Sequence, residues 1–221
     1  MTSAITATGL RKSFGGKAVL DGIDLEVSAG TTFSLLGPNG AGKTTIVQIM
    51  STLVHADDGE VRVAGHDVAR NPAAVRAAIG VTGQFSAIDS LLTGQENLLL
   101  MADLHHLGRA EGRRRAAALL EQFDLADSGR KTAQTYSGGM KRRLDLAMTL
   151  IGEPRIIFLD EPTTGLDPRS RRMMWQTIRE LVGGGVTIFL TTQHTPDLDD
   201  VFFALTGRPA AATTPEMENA R

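Results

Sequence analysis

Phe33-Ser34-Leu35-Leu36-Gly37-Pro38-Asn39-Gly40-Ala41-Gly42-Lys43-Thr44-Thr45-Ile46-Val47 runs from a compact apolar stretch, through a glycine-rich turn, into a periodic apolar pattern. Phe33 to Leu36 reads as a buried strand ending at Gly37, and Ile46, Val47, Ile49, Met50 and Leu53 recur at helical spacing. Strand, loop and helix in this order are the context that a phosphate-binding P-loop requires, and Gly37 to Thr44 fits its pattern. Chance alone gives about 0.01 matches to the four fixed positions in a chain of this composition. The glycines let the loop turn its N–H groups inward, so that they and the positive end of the following helix surround phosphate oxygens. Lys43 adds a mobile positive charge, and Thr44 offers a hydroxyl to a magnesium ion bridging the phosphates. Nucleotide contacts are therefore expected from Gly37, Pro38, Asn39, Gly40, Ala41, Gly42, Lys43, Thr44 and Thr45.

Outward from this stretch the same alternation of strand and helix returns. Ile156-Ile157-Phe158-Leu159 precedes Asp160-Glu161, and Val186-Thr187-Ile188-Phe189-Leu190 precedes Thr191-Thr192, with helical stretches before and between. This order predicts an α/β fold with a parallel sheet covered by helices. A strand-end acid pair supplies what a triphosphate site still lacks: Asp160 as a magnesium partner through water, and Glu161 as a general base or water-orienting group. Upstream, Ile23, Leu25 and Val27 alternate with polar residues, as in a half-buried antiparallel strand. Residues 86–152 contain no comparable strand run and read as helices around Glu96 to Leu107, Gly112 to Phe123 and Met140 to Leu150, an inserted helical subdomain. The stretch from 204 to 221, rich in Ala, Pro and Thr, offers too little bulky apolar surface to offset its ordering entropy, so a disordered tail is expected after a domain spanning 1–203.

Composition narrows the classes further. Of 221 residues 42% are hydrophobic, enough for one compact domain, and 23 basic against 25 acidic side chains argue against a protein whose main task is binding nucleic acid. The absence of cysteine excludes disulfide scaffolds, thiol nucleophiles and cysteine-ligated metals. No run approaches the roughly eighteen apolar residues of a membrane span, and Met1-Thr2-Ser3-Ala4 lacks the features of a signal peptide, so a soluble chain is expected. His105-His106 and Arg113-Arg114-Arg115 read as solvated helix faces, and Trp175 with Met173 and Met174 as helix core.

Further motifs point to one family. Tyr136-Ser137-Gly138-Gly139-Met140-Lys141-Arg142-Arg143 resembles the signature motif of ATP-binding-cassette (ABC) ATPases and stands shortly before the Asp160-Glu161 strand. Gln84 resembles the Q-loop glutamine, Gly165-Leu166-Asp167-Pro168 the D-loop, and Phe14 the aromatic residue that stacks on adenine. The segments around Gln84, Thr93 to Leu98, and Leu198 to Phe202 with Leu205 to Arg208 are similar to the daunorubicin-resistance branch of ABC exporters. The resemblance implies a P-loop NTPase fold: an ABC ATPase core with an antiparallel β subdomain and the inserted helical subdomain. It also implies ATP and Mg2+ as cofactors, metal contacts at Thr44, Gln84 and Asp160, and nucleotide contacts at Ser137, Gly138, Gly139 and Asp167. Its implied partners are a second copy, paired head to tail around two nucleotides, and an integral-membrane permease, which places the chain peripherally on the cytoplasmic side of the cell membrane. Within the family a histidine after the last catalytic strand contacts the γ-phosphate. Here Gln193 falls at that position, and use of His194 requires a one-residue shift.

The pattern departs from the family after this point. His194-Thr195-Pro196 runs almost directly into the Leu198 to Arg208 motif that ordinarily lies much farther on, which reads as an internal deletion that leaves apolar surface or an unpaired sheet edge. The leading expectation is the ATP-hydrolysing subunit of an exporter of hydrophobic drug-like compounds. Two alternatives remain at this stage: a cassette that binds nucleotide without productive turnover, and a soluble ABC ATPase outside transport.

Overall fold

The computed structural model describes residues 2–83 and 87–192; Gln84, Gln193, His194, the segment read as a deletion and the 204–221 tail lie outside the described residues. Eight strands and six α-helices follow in the order β1 (Ser3–Phe14), β2 (Lys17–Ser28), β3 (Thr32–Leu36), α1 (Lys43–Met50), β4 (Asp58–Val63), β5 (His66–Asp67), α2 (Pro72–Ala78), β6 (Ile79–Thr82), α3 (Gly94–Leu104), α4 (Arg109–Gln122), α5 (Gly138–Leu150), β7 (Ile156–Asp160), α6 (Pro168–Gly183) and β8 (Thr187–Thr192). They form two four-stranded sheets, an antiparallel one ordered β2-β1-β4-β5 and a parallel one ordered β3-β8-β7-β6.

The parallel sheet is the wall between two cores. Ile156, Phe158 and Phe189 pack with α1 and the antiparallel sheet, whereas Ile157, Leu159, Ile188 and Leu190 pack with α5 and α6. Both faces of β7 and β8 are therefore covered, which explains their unbroken apolar runs. Alternation on β2 behaves differently: Val27 is buried and Ile23 and Leu25 are half-buried, while Asp24 and Glu26 between them are exposed, as in a strand with one solvated face.

Between β6 and β7 the described chain is helical apart from a single bridge between Thr93 and Thr132. Three helix starts there and beyond are written in the sequence. Thr93 and Glu96 form a reciprocal capping box at α3, Ser137 caps α5 through the Met140 N–H, and Asp167 followed by Pro168 opens α6. α3, α4 and α5 begin two or three residues before their expected starts; α5 ends at Leu150 as expected, and α3 and α4 end three residues and one residue early.

One burial expectation is corrected. Phe33 to Leu36 is a strand, but its residues are only half-buried and Leu36 is 46% exposed. The reason is topological: among the described residues β3 is an edge strand with β8 as its one neighbour. Arg115 is a second correction. It does not lie on a solvated face with Arg113 and Arg114; its guanidinium bonds Glu111, the Ile151 carbonyl at 3.0 Å and Glu153 at 3.1 Å, joining α4 to the end of α5.

Phe189 is fully buried, 5.2 Å from the Phe33 ring and 5.5 Å from the Phe158 ring. Phe189→Ala is predicted to lower unfolding free energy by about 3–5 kcal/mol, read as a fall in the urea midpoint. Leu91→Ser, at a side chain that is 79% exposed, stays within about 0.5 kcal/mol of the parent.

Candidate functional site

The parallel register brings the motif residues to one edge of the sheet. Leu35 of β3 lies beside Thr191 of β8, and Thr191 beside Asp160 of β7. The loop that leaves β3 and the acids that end β7 are thus two strand spacings apart, about 10 Å, with Thr191 and Thr192 between them.

On the β3 side, Gly42 adopts φ 87° immediately before α1, and a Cβ there would sit 2.7 Å from the Leu20 side chain and 3.1 Å from the Val19 carbonyl. Only glycine fits both the left-handed backbone and this close approach. No side chain caps α1 and no acid occupies its first turn, so the helix start keeps N–H groups and positive dipole for an anion. The Lys43 ammonium donates to the Gly37 carbonyl at 2.6 Å and the Pro38 carbonyl at 2.9 Å, and the residue is only 7% exposed. A cation is thereby held over the loop, while Thr44 beside it is exposed.

On the β7 side, the Thr191 hydroxyl donates to the Asp160 carboxylate. It also accepts the Glu161 N–H at 3.3 Å, and that N–H reaches the Thr191 carbonyl at 3.2 Å. Glu161 has φ 49°, an uncommon conformation for a residue with a side chain. The Thr191 contacts and the turn bond from the Thr164 N–H to the Glu161 carbonyl, 3.3 Å, hold it there. The sequence reading did not single out Thr191; its signal was a hydroxyl directly after an all-apolar strand run.

Asp160 and Glu161 also line a groove of about 330 Å³ with Gly138, Lys141, Arg142 and Leu166, and none of Gly37 to Thr45 lines it. Gly138, at the start of α5, thus borders the same groove as the acids. Ser137 and Gly138 are exposed. A Cβ on Gly139 would lie 2.3 Å from the Ser170 hydroxyl, so glycine there lets α5 meet α6. Ser170 in turn bonds Asp167, whose carboxyl is held below its usual range by the Ser170 hydroxyl first and then by the Ser170 and Arg169 N–H groups. Burial lowers the pKa of Arg142, against the opposing pull of Asp145 and Asp160.

Phe14 ends β1 with 49% of its surface exposed, and Lys12 Nζ lies 5.2 Å from its ring centroid, an open aromatic face at the margin of the molecule. A further groove of about 410 Å³ lies beside α5 and β6, lined by Leu53, Val81, Gly83, Ala87, Met101 and Met148 together with Arg76, His105 and Asp145. Beside it, Leu100 and Leu104 of α3 remain exposed. Among the described residues no group of three or more His, Asp or Glu side chains is arranged to hold a metal, and no helix is long and apolar enough to cross a membrane.

A phosphate-binding turn and strand-end acids on the same edge of a parallel sheet define a P-loop NTPase of the α/β class, and an ATP-binding cassette of an ABC transporter, solved in its ADP conformation, shares the fold with a TM-score of 0.81 at 24% identity, over 93% of this chain and 85% of that one. The ABC transporter family model matches residues 20–164, and the chain belongs to that family. It is 56% identical over 199 residues to the daunorubicin resistance ATP-binding protein DrrA3 of Streptomyces coeruleorubidus, covering 90% of this chain and 63% of that protein. It is 48% identical over 200 residues to the daunorubicin/doxorubicin resistance ATP-binding protein DrrA of Streptomyces peucetius, covering 90% and 61%. The chain thus spans less than two thirds of the length of these two relatives.

Two outcomes follow from the site's hydrogen bonds. Thr191→Val, at a fully buried position, deprives Asp160 of its donor and is predicted to cost about 1–3 kcal/mol in chemical denaturation, with Thr191→Ser close to the parent. For Asp167 the folded pKa lies below the ordinary 3.8, so its contribution to stability is present above that value and is lost as pH falls through the depressed one. Ser170→Ala moves the Asp167 carboxyl titration, followed by NMR, back up toward 3.8 and shifts the acid limb of thermal unfolding the same way.

Proposed function

We propose that this chain is the ATP-hydrolysing subunit of an ABC exporter, driving a separate membrane permease that moves hydrophobic drug-like compounds of the daunorubicin class outward. The observation that carries the reading is the row Leu35, Thr191, Asp160 across three parallel strands, which sets a phosphate-binding turn opposite a carboxylate pair. Lys43 and the α1 N–H groups bind the β- and γ-phosphates. Thr44 and Asp160, together with Gln84, hold Mg2+, which neutralises charge on the phosphate oxygens. Glu161 takes the proton of the attacking water, and Gln193 or His194 donates to the γ-phosphate. Phe14 stacks on adenine.

Ser137 and Gly138 are exposed, and the groove that Gly138 lines includes no residue of its own chain's P-loop. That supports a head-to-tail pair in which each nucleotide lies between Lys43 of one copy and Ser137 of the other, with Asp167 at the seam. The groove beside α5 and β6, with exposed Leu53, Leu100 and Leu104 at or near it, supports docking of a permease helix with the subunit on the cytoplasmic face of the membrane. The names of the relatives support the class of transported compound.

The decisive measurement is phosphate release with MgATP. Glu161→Gln is predicted to lower the steady rate by about 10²–10⁴-fold while ATP still binds and the protein elutes as a nucleotide-dependent dimer. Equal rates in parent and variant remove Glu161 from its role, and a monomer at saturating ATP removes the paired site. Co-purification with a multispanning permease tests the transport assignment.

A further inference from the structure

The signature helix carries a buried ion pair that the roles above leave unused. Arg142 and Asp145 lie one turn apart on α5, with Arg142 Nη1 3.4 Å from Asp145 Oδ2 and side-chain exposures of 18% and 5%. The rest of the guanidinium is spent on backbone: Nη2 donates to the Asp160 carbonyl at 3.1 Å and Nε to the Pro162 carbonyl at 3.2 Å. These two carbonyls flank Glu161, the residue held at φ 49°. Asp145 reaches in the opposite direction, accepting the Ala87 N–H at 3.3 Å on its other carboxylate oxygen. One fork of donors and one carboxylate thus bind three places at once: the helix behind Ser137, both sides of Glu161, and the chain at Ala87.

We propose that Arg142 and Asp145 form a positioning pair that fixes the backbone around Glu161 and couples it to the signature helix and to the chain at Ala87. The inference rests on the proposed ATPase reading of Glu161. A planar guanidinium satisfies two carbonyls and a carboxylate simultaneously, which the single ammonium of lysine does not. Without the fork, the left-handed Glu161 loses contacts that oppose its strain, and its carboxylate leaves the productive geometry, where a displacement of about 1 Å costs up to about 10²-fold in rate. Substrate affinity, set at the P-loop, is untouched.

Arg142→Met is expected to lower kcat about tenfold to a hundredfold, with KM and ATP affinity within about twofold of the parent, and Arg142→Lys to restore part of the rate. Because Arg142→Met removes the cation beside a buried carboxylate, the double variant Arg142→Met/Asp145→Leu removes both charges and is expected to lose less stability than Arg142→Met alone, yet to keep the low kcat. Arg115→Met is the control: Arg115 bonds Glu111, the Ile151 carbonyl at 3.0 Å and Glu153 at 3.1 Å, away from Glu161, so it affects stability and leaves kcat unchanged. Amide exchange gives a readout independent of turnover, with faster exchange in peptides covering 160–166 and 87–92 for the double variant and parental exchange there for Arg115→Met. Parental kcat in a folded double variant overturns the proposal, and so does parental exchange in those peptides. If the parent itself releases no phosphate, the ATPase reading fails, and amide exchange alone decides whether the pair holds this backbone.

Discussion

Pairing of β8 with β3 on one side and β7 on the other is the contact on which the rest depends. Parallel strands end on the same side of a sheet, and the turns that leave them gather there. Here that geometry puts a glycine turn, a threonine pair and two acids along one edge. The register is enforced from below: Phe189 must meet Phe33 and Phe158 on one face while Ile188 and Leu190 meet the helical core on the other. A slip of one residue exchanges the two sets and moves Thr191 away from Asp160. The geometry of the candidate site and core packing are therefore the same constraint seen at two heights of the sheet.

Around that edge the backbone is held in conformations that local preference disfavours. Glu161 is left-handed, and the P-loop leads into α1 through a left-handed Gly42. Glycine tolerates its conformation without help. Glutamate does not, and its support comes from elements distant in sequence: Thr191 from the neighbouring strand and Arg142 from α5. On the proposed reading the chemistry requires a carboxylate at that position, so the fold supplies from outside what a glycine would have supplied by itself.

How far these features were legible follows from their range. The P-loop, the acid pair and the caps at Thr93, Ser137 and Asp167 are local: each is a few consecutive residues whose types state their conformation. The strands β7 and β8 announced themselves because both faces are covered. By contrast, β1 went unread because register shifts between Ala7 and Leu10, next to Gly9 at φ 60°, break its alternation. The edge position of β3 was hidden because an apolar run does not say how many neighbours it has. Arg142 and Asp145 were read as part of a motif and not as a pair; the clue was opposite charges three residues apart running into an apolar stripe at Leu144, Leu146 and Ala147. Long-range partners such as Ala87 and the Asp160 carbonyl have no signature in the helix that contacts them.

The chain offers two turns suited to an anion, the uncapped start of α1 and the exposed Ser137 turn at the start of α5, and they open onto different surroundings. A single triphosphate does not need both from one chain. Supplying the second from a twofold-related copy makes the two turns converge twice, once at each nucleotide. Such convergence has mechanical meaning only if the helix behind Ser137 is stiffly connected to the acids behind Asp160, because a loosely attached turn would bind phosphate without informing Glu161. Through Arg142, α5 grips the carbonyls on both sides of Glu161; through Asp145 it grips the chain at Ala87, which borders the groove beside α5 and β6. On the proposed reading, the same rigid helix thus reports the partner's nucleotide to its own hydrolytic turn and to the surface that meets the membrane subunit, so the ligand's preference for the closed pair is felt at both.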